Sequence, residues 1–441
     1  MVSTHQNARS VVYAHLGEQA DRFPDLSLDS VDTTGLEPRD AALVLAIEQA
    51  VLRRWLTLST VLNTCLSQPL DMLEPRLTGV LLGGTAQLLL LDRIPDHAVI
   101  DESVEWAKQV IRPGAGKMVN AVLRRVAGMR TGTRQASDPG EPTSCIPLHD
   151  GTFIELSDHV FDPDPVIGLV QSTSHCHPLV ESWIASHGYD QAASFCYHDL
   201  LLPPIVAWDL DMDHVDRSHA TEHPEAGAMT WTGPASAINE AIKPGSTARV
   251  QDVGSATALL QTADASPGLI IDMCAGKGTK TLQLASMHPG SRIIAGDTDR
   301  ARMGMLRQRT SGMEQIEVIE LDRIDAYKGQ ADLVLLDVPC SNTGVIPRRS
   351  QARYRYSKNR TRKLVKLQQE IIERAIPLLG TGGRLQYVTC SLEPAENQFQ
   401  AEWISRKTGM TITKQDSRMP EGMPGDPPTR YRDGGFSALL A

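Results

Sequence analysis

Leu269-Ile270-Ile271-Asp272-Met273-Cys274-Ala275-Gly276-Lys277-Gly278-Thr279-Lys280-Thr281 passes from a short apolar run, through a loop of small residues, into a helical pattern that continues to Met287. The same order recurs downstream. Ile293-Ile294-Ala295-Gly296 ends at Asp297, Leu333-Val334-Leu335-Leu336 at Asp337, and Leu385-Gln386-Tyr387-Val388 at Thr389-Cys390. Helical stretches at Arg300–Arg309 and Leu364–Ile376 lie between these runs. Short apolar strands alternating with helices predict a parallel, doubly wound sheet. Such sheets bind ligands beyond the carboxyl ends of their strands. All four strand ends here carry polar or reactive side chains.

The loop Cys274-Ala275-Gly276-Lys277-Gly278-Thr279-Lys280 therefore falls where a ligand would sit. Glycines let backbone approach a ligand, and the following helix offers free N–H groups. Asp297 ends the next strand, where a carboxylate can accept two hydrogen bonds from a ribose diol. This combination fits any cofactor that contains adenosine. It does not satisfy the G-x-x-x-x-G-K-[ST] phosphate loop, and it does not separate NAD from S-adenosylmethionine.

Upstream, the pattern changes. Residues 1–130 read as helical throughout. Val44, Ile47, Val51, Trp55 and Leu58 fall on one face of a helix, Pro75 opens a second apolar stretch, a third follows Asp101, and Val119–Arg125 forms a fourth. These predict an all-α bundle. Residues 131–144, TGTRQASDPGEPTS, read as a linker. Residues 131–245 as a whole read as that linker plus a small α+β middle part, with a helix near Leu179–Ala185 and a strand at Pro204–Trp208. His175, Cys176, His177, Cys196 and His198 gather there, but their spacing matches no zinc pattern, so no metal is expected.

The formal charge of −10 is unevenly spread, with −14 on residues 131–247 and +6 on 248–441. An anionic partner thus belongs with the C-terminal part. Seven scattered cysteines suggest reduced thiols in a cytoplasm. No apolar run approaches the ~18 residues of a membrane span, and MVSTHQNARS is not a secretory leader.

Two later loops narrow the cofactor. Asp337-Val338-Pro339-Cys340-Ser341 and Thr389-Cys390-Ser391 each follow an apolar strand directly, so both thiols should face one crevice. Single buried cysteines are usually inert; a pair at two strand ends, one beside a carboxylate, is not the usual case. Hydride transfer to NAD has no need of them.

Together, Asp272–Thr281, Asp337–Val345 and Tyr387–Ser391 with Glu396-Asn397 resemble the signature loops of the NOL1/NOP2/Sun family of RNA cytosine-C5 methyltransferases. Asp433-Gly434-Gly435-Phe436 is similar to that family's terminal strand. Ala8–Val12, Gln87-Leu88, Asp92–Ala98 and Asn120–Arg125 resemble the NusB-like RNA-binding domain of its bacterial Sun branch, which methylates small-subunit ribosomal RNA.

The resemblance implies a NusB-like bundle over 1–130 and a Rossmann-like class I methyltransferase domain over 246–441. It implies S-adenosylmethionine as cofactor, held by Cys274–Lys280, by Asp297, by Asp322 near the adenine and by Asp337. It assigns Cys390 as the nucleophile and Cys340 to adduct release. Asp337 would stabilise the adduct through N3, which calls for a protonated carboxyl in a dry pocket. Cys390 calls for nearby positive charge, for which Lys280 is the candidate. Lys277 replaces the family's usual Pro and Thr279 its usual Gly; a non-glycine at Thr279 narrows the backbone angles available.

Arg348–Lys366 holds nine basic residues and no acid, with two tyrosines interleaved. Cations neutralise phosphates and tyrosines stack on unpaired bases. Arg348, Arg349, Arg353, Tyr354, Arg355 and Tyr356 are accordingly expected to contact RNA. The whole reads as a monomeric, cytoplasmic rRNA methyltransferase; the same chemistry on tRNA, or a non-catalytic NusB-like factor, are the alternatives.

Overall fold

A computed structural model describes residues 7–27, 29–135 and 140–441. The chain forms two compact units. The first runs up to Leu201 and also takes in Arg349–Tyr356 and Met423–Gly425. The second comprises Leu202–Arg348, Ser357–Gly422 and Asp426–Ala441. The sequence alone suggests a separate middle segment; the change of unit falls inside it.

The first unit opens with five helices: α1 (Ala8–Arg22), α2 (Pro38–Cys65), α3 (Pro75–Leu90), α4 (Asp96–Val110) and α5 (Ala115–Met129). Proline occupies the first turn of α2 and of α3, where its missing N–H costs nothing. The periodic residues Val44, Ile47, Val51, Trp55 and Leu58 are all buried. At roughly 2 kcal/mol for each large apolar side chain removed from water, this face alone is a major source of stability.

Helix α2 is broken at Arg54, whose φ of −127° and ψ of 22° are not helical. The expected linker begins instead as a strand, Arg130–Arg134, paired antiparallel with Phe153–Leu156, which also pairs with Cys145–Pro147. Residues 136–139 of that linker lie outside the described residues. Helices Pro165–Thr173, His177–His187 and Tyr189–His198 complete the unit. Among the candidate metal ligands, His175 is buried, with Nε2 2.9 Å from Asp199 Oδ2 and Nδ1 3.0 Å from Thr173 Oγ1.

The second unit carries the expected sheet. Its strands are β1 (Leu269–Asp272), β2 (Arg292–Ala295), β3 (Ile316–Val318), β4 (Ala331–Asp337), β5 (Leu379–Thr389), β6 (Ile412–Arg418) and β7 (Gly435–Leu440). Their order is 3-2-1-4-5-7-6, with β1 to β5 parallel and β7 antiparallel to both neighbours. Ile271, Val334, Leu336 and Leu385 pack on one face, Ile270, Ile293, Leu333 and Leu335 on the other. Burial on both faces explains why these strands read as unbroken apolar runs. The winding reverses between β1 and β4, which is where such sheets form a binding crevice. A four-stranded antiparallel sheet built around Ile205–Trp208 and Ala228–Trp231 belongs to the same unit.

Candidate active site

Register fixes which strand ends meet. Asp272 lies opposite Ala295 of β2, and Asp337 lies opposite Val388 of β5. The loops leaving β4 and β5 are then laced together. Val338 N–H donates to Val388 O at 3.2 Å and Gly344 N–H to Cys390 O at 3.0 Å. A Cβ at Gly344 would sit 2.7 Å from the Gly434 backbone, so only glycine permits this approach.

The lacing brings the Cys340 and Cys390 sulfurs to 3.0 Å. Cys390 N–H also points at Cys340 Sγ, 3.3 Å away, and Cys390 Sγ lies 3.2 Å from Asn342 Oδ1. Cys340 is buried. Its hydrogen bond to Cys390 and its burial hold the thiol well above the usual range. Asn342 sits in the left-handed region at φ 60°, and its Nδ2 donates to Cys340 O at 2.9 Å.

Beside the thiols, Lys280 Nζ is 2.8 Å from Asp337 Oδ2. Burial works against this ammonium, but the negative charge of Asp337, Cys390 and Asp272 outweighs it and raises Lys280. The dry, apolar surroundings expected for Asp337 are not found. Its side chain is 32% exposed and engaged by a cation, because the loop lysine reaches across from β1 to the end of β4.

The cofactor loop leaves β1 at Asp272, which is fully buried. Asp272 Oδ2 accepts from Thr281 Oγ1 at 2.7 Å, and burial pushes its carboxyl up to about 7. Gly276 N–H donates to Asp297 Oδ2 at 2.9 Å and Asp299 N–H to Asp297 Oδ1 at 2.8 Å. Each Asp297 oxygen thus has one donor and keeps a second lone pair, so the carboxylate can still accept from both hydroxyls of a ribose diol. Gly278 has φ 90°, and a Cβ there would meet Leu306 at 2.6 Å. Thr279 begins the helix Thr279–Met287 and has no positive φ, so a side chain is tolerated there. Lys277 is exposed. Asp322 is exposed in the turn after β3, and Asp325, three residues on, pairs with Lys328 at 2.8 Å.

Comparison with known proteins accords with this geometry. Residues 258–423 match the family model described as 16S rRNA methyltransferase RsmB/F, and residues 5–128 match the NusB family. The C-terminal part is thus similar to the RsmB/F methyltransferases and the N-terminal part to the NusB family. It is 29% identical to ribosomal RNA small subunit methyltransferase B of Xanthomonas campestris, over 84% of this chain and 81% of that protein. The protein of the same name in Pectobacterium atrosepticum is 28% identical over 98% of both chains. The crystal structure of PH0851 shares the fold with a TM-score of 0.67 at 18% identity, covering 98% of each chain. The protein is a methyltransferase with a helical NusB-like domain and a Rossmann-like catalytic domain. Among the described residues no helix is long and apolar enough to cross a membrane.

The basic stretch of this methyltransferase is divided by the fold, which corrects the expected RNA contacts. Arg353 and Tyr354 are buried in the first unit. Arg353 donates to the carbonyls of Arg53 at 2.8 Å, Thr173 at 3.3 Å and Asp199 at 2.8 Å. Tyr354 OH donates to Leu52 O at 3.0 Å and accepts from Trp55 N at 3.1 Å. Breaking α2 at Arg54 releases the backbone groups of Leu52, Arg53 and Trp55, and buried backbone groups need partners. The two side chains are fillers of that break, and Tyr354 has no face free for stacking on a base.

Arg348 is likewise engaged, at 2.7 Å from Asp433 and 3.2 Å from Asp252, and these carboxylates outweigh its burial and raise it. Tyr356 OH donates to Ser182 at 2.8 Å, and Arg355 lies 4.0 Å from Asp25. Only Arg349 of the six is exposed; beyond them Lys358, Arg360, Arg362, Lys363 and Lys366 are exposed on the helix Lys358–Ala375. Gln368 of that helix donates to Pro339 O at 3.0 Å, so the basic turns run up to the Cys340 loop. Asn342 is not singled out by the sequence reading. An Asn preceding Thr343-Gly344 is turn chemistry, which is the signal that could have found it.

Proposed function

We propose that this protein transfers a methyl group from S-adenosylmethionine to carbon 5 of a cytidine in 16S ribosomal RNA, through a transient bond between Cys390 and carbon 6. The observation that carries the reading is the Cys340–Cys390 pair, 3.0 Å apart at adjacent strand ends, beside a loop whose donors fit an adenosyl group. The names of the curated relatives support the rRNA target.

Carbon 5 of cytosine is a weak nucleophile. When the Cys390 thiolate adds to carbon 6, ring electrons move to carbon 5, which covalent catalysis makes able to accept a methyl group. Gly276, Gly278 and Asp297 would hold the adenosyl end of the cofactor, which supplies an electrophilic methyl on a sulfonium. The carbon 5 proton then leaves, the sulfur–carbon bond breaks, and its electron pair returns to Cys390. Cys340 fits the proton-accepting part by its place, its sulfur 3.0 Å from that of Cys390: as a thiolate it would take the carbon 5 proton and end as the thiol. Asp337 can reach N3 only by sharing its carboxyl with, or releasing, Lys280. The NusB-family domain and the exposed basic turns of Lys358–Lys366 would grip RNA, with the target base turned out of its stack. The protein would work as a cytoplasmic monomer.

Labelled cofactor and 16S rRNA test this. Cys390→Ala should abolish transfer, and Cys340→Ala should accumulate a protein–RNA adduct resistant to denaturant. Full activity of Cys390→Ala, or an adduct formed without Cys390, would overturn the mechanism.

A further inference from the structure

Glu396 lies behind the two thiols, with no exposure to solvent. Its carboxylate accepts from Ser341 N–H at 3.0 Å, Ser341 Oγ at 2.5 Å, Ser391 Oγ at 2.6 Å and Gln368 Nε2 at 3.1 Å. Ser341 follows Cys340 and Ser391 follows Cys390. The same Gln368 amide group also donates to Pro339 O, the residue before Cys340. Every donor to this carboxylate therefore acts on a residue flanking one of the two cysteines.

We propose that Glu396 is a positioning residue for methyl transfer, a single carboxylate that clamps the Cys340 and Cys390 loops and sets the separation of their sulfurs. A buried carboxyl is costly unless it is fully hydrogen-bonded. Burial raises Glu396, while the Ser341 and Ser391 bonds oppose that rise. The backbone bond from Gly344 to Cys390 already joins the loops, yet it acts four residues beyond Cys340. The carboxylate acts one residue beyond each sulfur, where a small displacement moves the thiols most. Asn397 adds to the hold on one side: its Nδ2 donates to Ser391 O at 2.8 Å. The proposal rests on the reading that the two thiols serve one reaction.

The test compares full-length wild type with Glu396→Gln and with the Ser341→Ala/Ser391→Ala double variant. Two readouts are taken. The first is steady-state methyl transfer. The expected result is a kcat lowered on the order of 100-fold, the scale of a 1 Å misplacement, with KM for RNA and cofactor nearly unchanged. The second is the rate at which diamide, which takes two electrons and two protons from a thiol pair, joins Cys340 to Cys390, with Cys340→Ser as the blank. A rate lowered at least about tenfold is expected, since a disulfide tolerates little error in sulfur placement, with cofactor binding unchanged.

Adding Glu396→Gln to the double serine variant should cause little further loss, because the groups act as one unit. Wild-type kcat and wild-type diamide rate in Glu396→Gln overturn the proposal. So does a loss of cofactor binding in parallel with the loss of kcat, which marks a merely structural role. The diamide readout needs no RNA and no methyl transfer. A wild type that fails to methylate RNA therefore sinks the functional reading, while the clamp is judged on the thiols alone.

Discussion

Asp272 shows how a single residue ties the cofactor loop to the stability of its unit. It is buried at the end of β1, bonded to Thr281, and its carboxyl is pushed up to about 7. Between about pH 4 and 7 the folded chain holds this proton and the unfolded chain does not, so stability falls as pH rises through that window. The loss approaches on the order of 4 kcal/mol at its limit, at about 1.36 kcal/mol per pH unit. Urea midpoints measured from about pH 5 to pH 8 should decline in the wild type, and Asp272→Asn should flatten that decline. An equally steep decline in the variant would remove Asp272 as the source. At the same scale, sequence located both cysteines, Asp297 and Asp337 correctly at strand ends, because apolar runs mark where strands stop. It could not see Lys280 against Asp337, since that pairing depends on how far one loop reaches over another strand.

At the scale of elements, one charge run has two fates. In Arg349–Tyr356 two of the residues, Arg353 and Tyr354, fill the break in α2; in Lys358–Lys366 the basic residues lie on the outer face of a helix whose inner face buries Thr361, Gln368, Ile372 and Ala375. Composition treats both alike, and only burial separates them. Arg353→Met should therefore destabilise the protein by about 3 kcal/mol, since three carbonyls lose a buried donor, and should leave the salt dependence of RNA binding unchanged. Lys363→Glu with Lys366→Glu should do the reverse. Tm should barely move, while RNA affinity and the slope of log K against log salt should both fall, by about one unit of slope for each phosphate no longer neutralised. Thermal melts and filter binding at several salt concentrations distinguish the two. If Arg353→Met weakened RNA binding at an unchanged Tm, its assignment as a filler would be wrong.

For the molecule as a whole, the fold class was legible because each local pattern agreed with the global one. Helical periodicity governs 1–130, and unbroken apolar runs at regular intervals govern the catalytic sheet. The strands β3 and β6 escape such a reading, being short or half exposed. Which unit a segment joins was not legible at all, because that depends on pairings distant in sequence, such as Arg353 with Arg53 and Asp199. A fragment of residues 1–201 would lack Arg353 and Tyr354 and should melt at a lower temperature than the same unit within the full chain. A synthetic peptide of residues 349–356 added in trans should raise the fragment's Tm in proportion to the logarithm of its concentration. No response to saturating peptide would contradict this account.

Arg349–Tyr356 also constrains how such a protein can be rebuilt. Grafting a different helical module onto this catalytic sheet would leave eight residues cut to the old module's shape, stranded without their slot. Those eight belong with the piece they complete and not with the piece that encodes them, so successful chimaeras should be the ones that swap both stretches at once.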